Sequence, residues 1–277
     1  MAEADFNWEQ LSGSLADQSK RWWGYVIACQ VLVVVISALV TVFGIWARPG
    51  ALLAAALTVG CTLAQWRSDR LRRLSDTVKR KFEMLDGLGW PISGKEASDL
   101  LVAVPKSFRE KAKTTEKVPY YASLEQPSAQ RLLANLEESA WWTKHLTASM
   151  VQLTALVCVV VFVIAAVTMI ITLSSAPSQT TAEMIAKVST SVIVFVFSGG
   201  YFRLAFEYSR YSRAAERIED SAHEMLRKQE ITDIEAVKLL HDYQIARAGA
   251  PSIPTWFWRL RQRDLNEVWG ERMRARS

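Results

Sequence analysis

The sequence predicts an all-α membrane protein, with four transmembrane helices in two hairpins and helical extensions that pack as a cytoplasmic region. Three observations predict it. Of 277 residues, 50% are hydrophobic and 22% charged. The apolar residues gather into four blocks rather than spreading at helix or strand period. Each block is long enough, or nearly so, to cross a hydrocarbon layer of roughly 30 Å at about 1.5 Å per residue. That clustering excludes the one or two soluble domains that length alone would allow.

Residues 1–23 are expected to be a cytoplasmic N-terminal segment. Met1–Ser19 is acidic and polar, with no basic n-region or small-residue cleavage site, so no secretory leader is predicted. Hairpin 1 spans 24–66. Its first span, Gly24 to Trp46, has no charge, and Trp22, Trp23 and Trp46 suit the two interfaces. Arg48-Pro49-Gly50 reads as a tight turn into a short, Ala-rich second span ending at Trp66.

The middle region, 67–147, is cytoplasmic. It opens with the stripe Leu71, Leu74, Val78, Phe82 and Leu85, then passes through Pro91, Pro105, Pro119 and Pro127, which predict short helices and loops. Hairpin 2, 148–206, holds the third span, Ala148 to Leu173, and the fourth, Ile185 to Phe206. The C-terminal helical region, 207–277, is expected to continue the fourth span without a break. Its stripe is Leu204, Tyr208, Tyr211, Ala215, Ile218, Ala222 and Met225. The simplest arrangement packs the two stripes on each other. Thr232-Asp233-Ile234-Glu235 reads as a capping box that opens a helix stopping at Gly249 and Pro251. Another helix follows Pro254.

Lysines and arginines set the orientation. Lys20, Arg21, the run from Arg67 to Lys81, Lys144, Arg203, Arg210 and Arg213 all fall on one side, which places both termini in the cytoplasm.

The chemistry of the sequence is sparse. No P-loop, GxGxxG, GxSxG or HExxH motif is present, so no enzyme is expected. His223 and His241 lie on charged helices and read as solvated. Cys29, Cys61 and Cys158 all fall in predicted spans without metal-ligand spacing, so no metal or cofactor is expected. Charges are absent from the span centres, which argues against an ion-coupled pump. Ser191, Ser198 and Gly199 suit either helix packing or the lining of a pore that several subunits would form together.

One constellation remains, basic and aromatic, on the cytoplasmic side. It comprises Tyr120, Tyr121, Arg131, Trp141, Trp142, Lys144 and His145, then Gln244, Arg247, Trp256, Trp258, Arg259 and Arg263. Guanidinium and ammonium groups suit phosphodiesters, and flat side chains suit nucleobases. Trp141, Trp142 and the run Trp256–Trp258 suit interfacial anchors beside anionic lipid headgroups as well, the reading that composition alone favours.

Several runs carry a family likeness: Lys81-Phe82-Glu83, Leu88-Gly89-Trp90-Pro91, Asn135, Trp141-Trp142 with Lys144, and Gln244-Ile245-Ala246-Arg247. The most specific is Pro251-Ser252-Ile253-Pro254-Thr255-Trp256-Phe257-Trp258, followed by Arg261. Over nearly its whole length the chain resembles the SMODS-associating four-transmembrane effector family, membrane effectors of bacterial anti-phage (CBASS) signalling. It departs at Trp258, where a tyrosine is more usual.

The resemblance implies a partner nucleotidyltransferase that makes a cyclic di- or oligonucleotide. The chain would bind that messenger on the cytoplasmic side, form a homo-oligomer and breach the bacterial inner membrane, causing growth arrest or cell death. It implies no binding of DNA or RNA duplexes. Arg131, Trp142, Lys144, Arg247, Trp256 and Arg259 are the expected ligand residues, and Ser191, Ser198 and Gly199 the expected pore lining. The alternatives are a non-conducting membrane scaffold or sensor that anchors a cytoplasmic partner, and an enzyme with an unrecognised site.

Overall fold

The computed structural model describes residues 6–43, 47–115, 119–175, 178–198 and 200–275. Among them every regular element is a helix, and no strand is present. The elements are α1 (Trp8–Phe43), α2 (Ala47–Leu88), α3 (Gly94–Ala103), α4 (Lys106–Thr114) and α5 (Ala129–Ser175), followed by α6 (Gln179–Ser198), α7 (Tyr201–Met225), α8 (Asp233–Ala248) and α9 (Thr255–Arg274). Three of them, α1, α2 and α5, are long and apolar enough to cross a membrane.

Two local readings are corrected. Arg48-Pro49-Gly50 lies within the first turn of α2 rather than in a connecting turn. Proline is tolerated there because the first backbone N–H groups of a helix have no intrahelical partner. The fourth apolar block is also not one continuous helix. α6 ends at Ser198 and α7 begins at Tyr201, with Gly200 at φ 76° between them. That left-handed conformation costs glycine little and other residues much more, so it stops one helix before the next starts. Leu204 N–H then donates to the Gly200 carbonyl at 2.8 Å, opening α7.

The chain divides into two compact units. One comprises Arg21–Arg67 and Ser149–Ser209. Its burial pattern inverts that of a soluble protein. Small and polar side chains, including Ala64, Thr154, Cys158, Ala165 and Ser189, are buried. Large aliphatics such as Leu32, Leu52, Val59, Ile164 and Ile170 are exposed. Helices that associate in lipid pack in this way, since small residues permit close approach and lipid accepts the large ones. Gly50 illustrates the closeness, because a Cβ there would run into the Val40 side chain at Cγ2. Trp46 and Gly199 lie outside the described residues, as do the side chains of Ser191 and Ser198.

The other unit comprises Met1–Lys20, Ser68–Ala148 and Arg210–Ser277. Its N-terminal part is ordered by burial. Asn7 Oδ1 accepts from Gln10 N–H at 2.9 Å and caps α1, and Leu11 and Leu15 are fully buried. This face of α1 packs against α2 through serines. Ser19 and Ser68 exchange hydroxyl-to-carbonyl bonds at 2.9 Å, and Ser75 Oγ donates to the Ser12 carbonyl at 2.8 Å.

The two stripes therefore find different partners from those expected. Leu71 and Val78 are buried on α2, with Ser68 and Ser75 on the same face. The α7 stripe instead buries Tyr211, Ile218 and Ala222 against Leu132, Leu133, Leu136 and Ala140 of α5 and Leu240 and Tyr243 of α8. α2 joins that core through Met84 and Leu88 near its end. Each fully buried leucine contributes about 1.5–3 kcal/mol.

The proline-broken segment forms α3 and α4 between loops, as predicted. A capping box at Ser93 and Glu96 starts α3, and Lys81 Nζ to Glu96 Oε1 (2.5 Å) ties it to α2. The predicted capping box of α8 is present, with Thr232 accepting from Glu235 N–H and the helix ending at Gly249.

Candidate functional site

The site lies within the second unit, where α2, α5, α8 and α9 converge with the loop before α5. Ser75, Lys79 and Phe82 recur at four and three residues on one face of α2. Tyr120 and Tyr121 come from the loop, which Glu138 Oε2 holds by accepting from Ala122 N–H at 2.9 Å. The two tyrosine rings meet edge to face at 4.7 Å, and Tyr121 stacks on Phe82 at 6.3 Å. From α9, Trp258, Gln262 and Asn266 stand four residues apart along one face.

Two adjoining cavities of about 330 Å³ share Lys79, Tyr120 and Trp258 as a common wall. The first is completed by Tyr121, Ser139, Trp142, Tyr243, Gln262 and Asn266, among others. The second is completed by Lys20, Asp17, Thr255, Arg259 and the α1 face around Ser12 and Ala16. Tyr243 is fixed by its hydroxyl, which bonds Thr143 Oγ1 at 2.8 Å and donates to the Ser139 carbonyl at 3.3 Å.

Lys79 distinguishes the site. Its Nζ lies 5.5 Å from the centre of the Tyr120 ring, and among the described residues no carboxylate comes within 4.0 Å of it. Burial disfavours its charged form, but Tyr120 and Glu83 outweigh burial and the repulsion of Arg247, so its pKa lies above the ordinary lysine value. A half-buried ammonium over an aromatic face is a cation–π pair with donors to spare.

The six expected ligand residues do not share one fate. Arg131 is paired with Asp86, from Nη2 at 2.8 Å and Nε at 3.3 Å, and also donates to the Glu125 carbonyl. Lys144 Nζ sits 2.5 Å from Glu219. Arg247 donates from both terminal guanidinium nitrogens to Glu83. Trp142 and Arg259 line the two cavities, one each. Trp256 is 60% exposed, and its ring meets that of Phe257 at 5.6 Å. The structure thus gathers Trp142 and Arg259 around Lys79 and holds Arg131, Lys144 and Arg247 in carboxylate pairs.

Lys144 belongs to a separate charge cluster. Arg272 donates to Glu219 at 2.5 Å and to Glu137 at 2.7 Å, and His223 Nδ1 lies 3.0 Å from the same Glu137 oxygen. Glu137 and Glu219 are almost fully buried. His223 therefore faces a buried carboxylate, contrary to its reading as a solvated residue, because the ends of α5 and α7 bring the two elements together there. The cluster fastens the last turn of α9 to α5 and α7.

Sequence reasoning missed Lys79, Gln262 and Asn266 as site residues. Lys79 stood within a run of basic residues, and the available signal was its position with Ser75 and Phe82 on one helix face. Chemically the arrangement offers flat walls for a ring system, amides and hydroxyls for its polar edge, and cations for an anion. Among the described residues, no three His, Cys, Asp or Glu side chains come together as a metal site. No family model matches the chain, and no curated protein or solved structure is found to be similar to it.

Proposed function

We propose that the chain is a ligand-gated membrane effector that binds a cyclic di- or oligonucleotide on the cytoplasmic side. Binding drives homo-oligomerisation and opens or disrupts the bacterial inner membrane, which arrests growth or kills the cell. In this reading four spans cross the bilayer as two hairpins, the fourth made of α6 and the start of α7, with both termini cytoplasmic. The messenger comes from a partner nucleotidyltransferase of an anti-phage system, and the chain itself catalyses no reaction.

One observation carries the reading. Lys79 is an ammonium with no carboxylate within 4.0 Å among the described residues, set where two aromatic-walled cavities meet. Base stacking on such walls is worth about 1–3 kcal/mol per base, and Lys79 and Arg259 supply cations for phosphate. Each cavity falls in the size range of small-molecule sites. α2 carries both Lys79 and an apolar stretch in one helix, so a ligand that favours one position of α2 biases the whole helix.

The test is dye leakage from liposomes carrying the full-length protein, titrated with cyclic di- and trinucleotides. Leakage elicited by one member, and lost in Lys79→Gln with insertion intact, supports the proposal. A second reading, a non-conducting scaffold, draws on the carboxylate pairing of Arg131, Lys144 and Arg247, which builds a rigid platform. Silence across the whole panel with correctly inserted protein would favour it.

A further inference from the structure

Between Arg67 and Lys81, α2 carries seven basic residues against two aspartates, a surplus equal to the +5 net charge of the whole chain. Part of that surplus lines a third cavity of about 400 Å³. Its wall includes Asp69, Arg72, Arg73, Asp76 and Arg80 of α2 and Arg247 of α8, and it shares no lining residue with the two cavities around Lys79. The α2 members recur at intervals of three and four, so they occupy one helix face.

Two of the four guanidinium groups have structural duties. Arg72 donates to the carbonyls of Arg247, at 3.2 Å, and Ala250, and to Ser252 Oγ at 3.4 Å, which closes the C-terminal end of α8. Arg247 pairs with Glu83 behind the cavity. Asp76 stands 3.9 Å from Arg72. Arg73 and Arg80 are exposed, and among the described residues no carboxylate lies within 4.0 Å of either. Arg80 reaches the Thr77 hydroxyl at 3.4 Å.

We propose that this cavity is a phosphate site, in which Arg73 and Arg80 are the ligand-contacting groups and Arg72 holds the wall. A guanidinium fork matches two phosphate oxygens at once, and such charge-assisted pairs are about twice as strong as neutral hydrogen bonds. With Arg247 neutralised by Glu83, three guanidinium groups stand against two aspartates, which leaves a net positive charge in the cavity, carried on the exposed Arg73 and Arg80. The occupant is a phosphate ester, supplied by an anionic phospholipid headgroup or by a free phosphorylated solute. The site is separate from the one around Lys79 and does not depend on the cyclic-nucleotide reading.

Full-length protein in neutral detergent at low salt tests it in two arms. One titrates inorganic pyrophosphate by calorimetry. The other counts phosphatidylglycerol and phosphatidylcholine retained by delipidated protein in native mass spectrometry. Pyrophosphate binding that falls at least tenfold in Arg73→Gln/Arg80→Gln, but not in the exposed Arg227→Gln, supports a free phosphate. Selective retention of phosphatidylglycerol, lost in the same double variant, supports a headgroup. Arg73→Lys/Arg80→Lys, which keeps charge but not the fork, should recover part of the binding. No binding in either arm, or a double variant that melts and binds like the parent, overturns the proposal.

Discussion

Arg247 closes on Glu83 with two bonds, Nη1 to Oε1 at 2.5 Å and Nη2 to Oε2 at 3.1 Å, and Gln244 Nε2 adds a third at 3.1 Å. Both members are buried, Glu83 at 4% and the Arg247 side chain at 12% exposure. α8 is thereby fixed to α2, beside both the aromatic and the arginine-lined cavities. Removing one partner of such a pair leaves an uncompensated buried charge and costs about 3–5 kcal/mol. Arg247→Ala is accordingly expected to lower the melting temperature sharply and to lose function by unfolding. Glu83→Gln combined with Arg247→Met should recover much of that stability, and a double-mutant cycle on thermal melts measures the coupling.

The same pair sets an acid limit. Burial alone would raise the Glu83 pKa, but Arg247, Lys79 and Gln244 outweigh it and hold the carboxylate below its ordinary value. A depressed carboxylate pKa gives stability that is complete above the unfolded value, about 4.3, and lost as pH falls through the folded one. Stability is therefore expected to fall below about pH 4.3. The drop should be smaller in the Glu83→Gln/Arg247→Met protein, as melts at stepped pH will show.

Lys79 predicts the opposite pattern to Arg247. Among the described residues no carboxylate lies within 4.0 Å of Lys79, and Glu83 acts on it only at longer range, so Lys79→Gln is expected to cost much less stability than Arg247→Ala. Under the proposed function, loss of the cation weakens cyclic-nucleotide binding at least tenfold. Trp258→Ala should weaken it by about 1–3 kcal/mol if a base stacks there. Direct titration beside a melting curve separates the two effects. An Arg247-like collapse in Lys79→Gln would count against the site.

Gly87 permits the close approach of α2 and α5. A Cβ at this position would meet Leu132 Cδ1 at 2.5 Å and the Leu132 backbone Cα at 3.1 Å. The Gly87 carbonyl also accepts from Ser128 N–H at 2.8 Å, at the entry to α5. Helix propensity alone would favour alanine by about 1 kcal/mol. A Cβ would require the Leu132 side chain to shift and its backbone to yield by a few tenths of an ångström, so Gly87→Ala is expected to destabilise by about 1–3 kcal/mol through overpacking. Denaturant midpoints give the sign directly.

Punctuation was the most legible part of the chain. Thr232 with Glu235 marked the start of α8, Gly249 and Pro251 its end, and Pro254 the start of α9, all within a few residues. The burial of Leu11 and Leu15 was missed, although their spacing of four, with Trp8 one turn before, carried a helical period. Met1–Ser19 was weighed by its overall polarity, which hides a narrow apolar face. The break at Gly200 was obscured in the same way, because hydropathy runs on across a residue whose φ is 76°.

Hydropathy, helix caps and flanking charge are properties of near neighbours in the chain. They suffice for an all-helical protein with apolar helices long enough to cross a membrane, and for most element limits. Whether a cation is free for a ligand is a long-range question. Arg131 meets a carboxylate 45 residues away and Arg247 one 164 residues away, whereas Lys79 meets an aromatic face. Composition counts all three alike. Pairing is strong only at contact distance inside a desolvated fold, so tertiary packing alone separates the arginines closed on carboxylates from the lysine set over an aromatic ring.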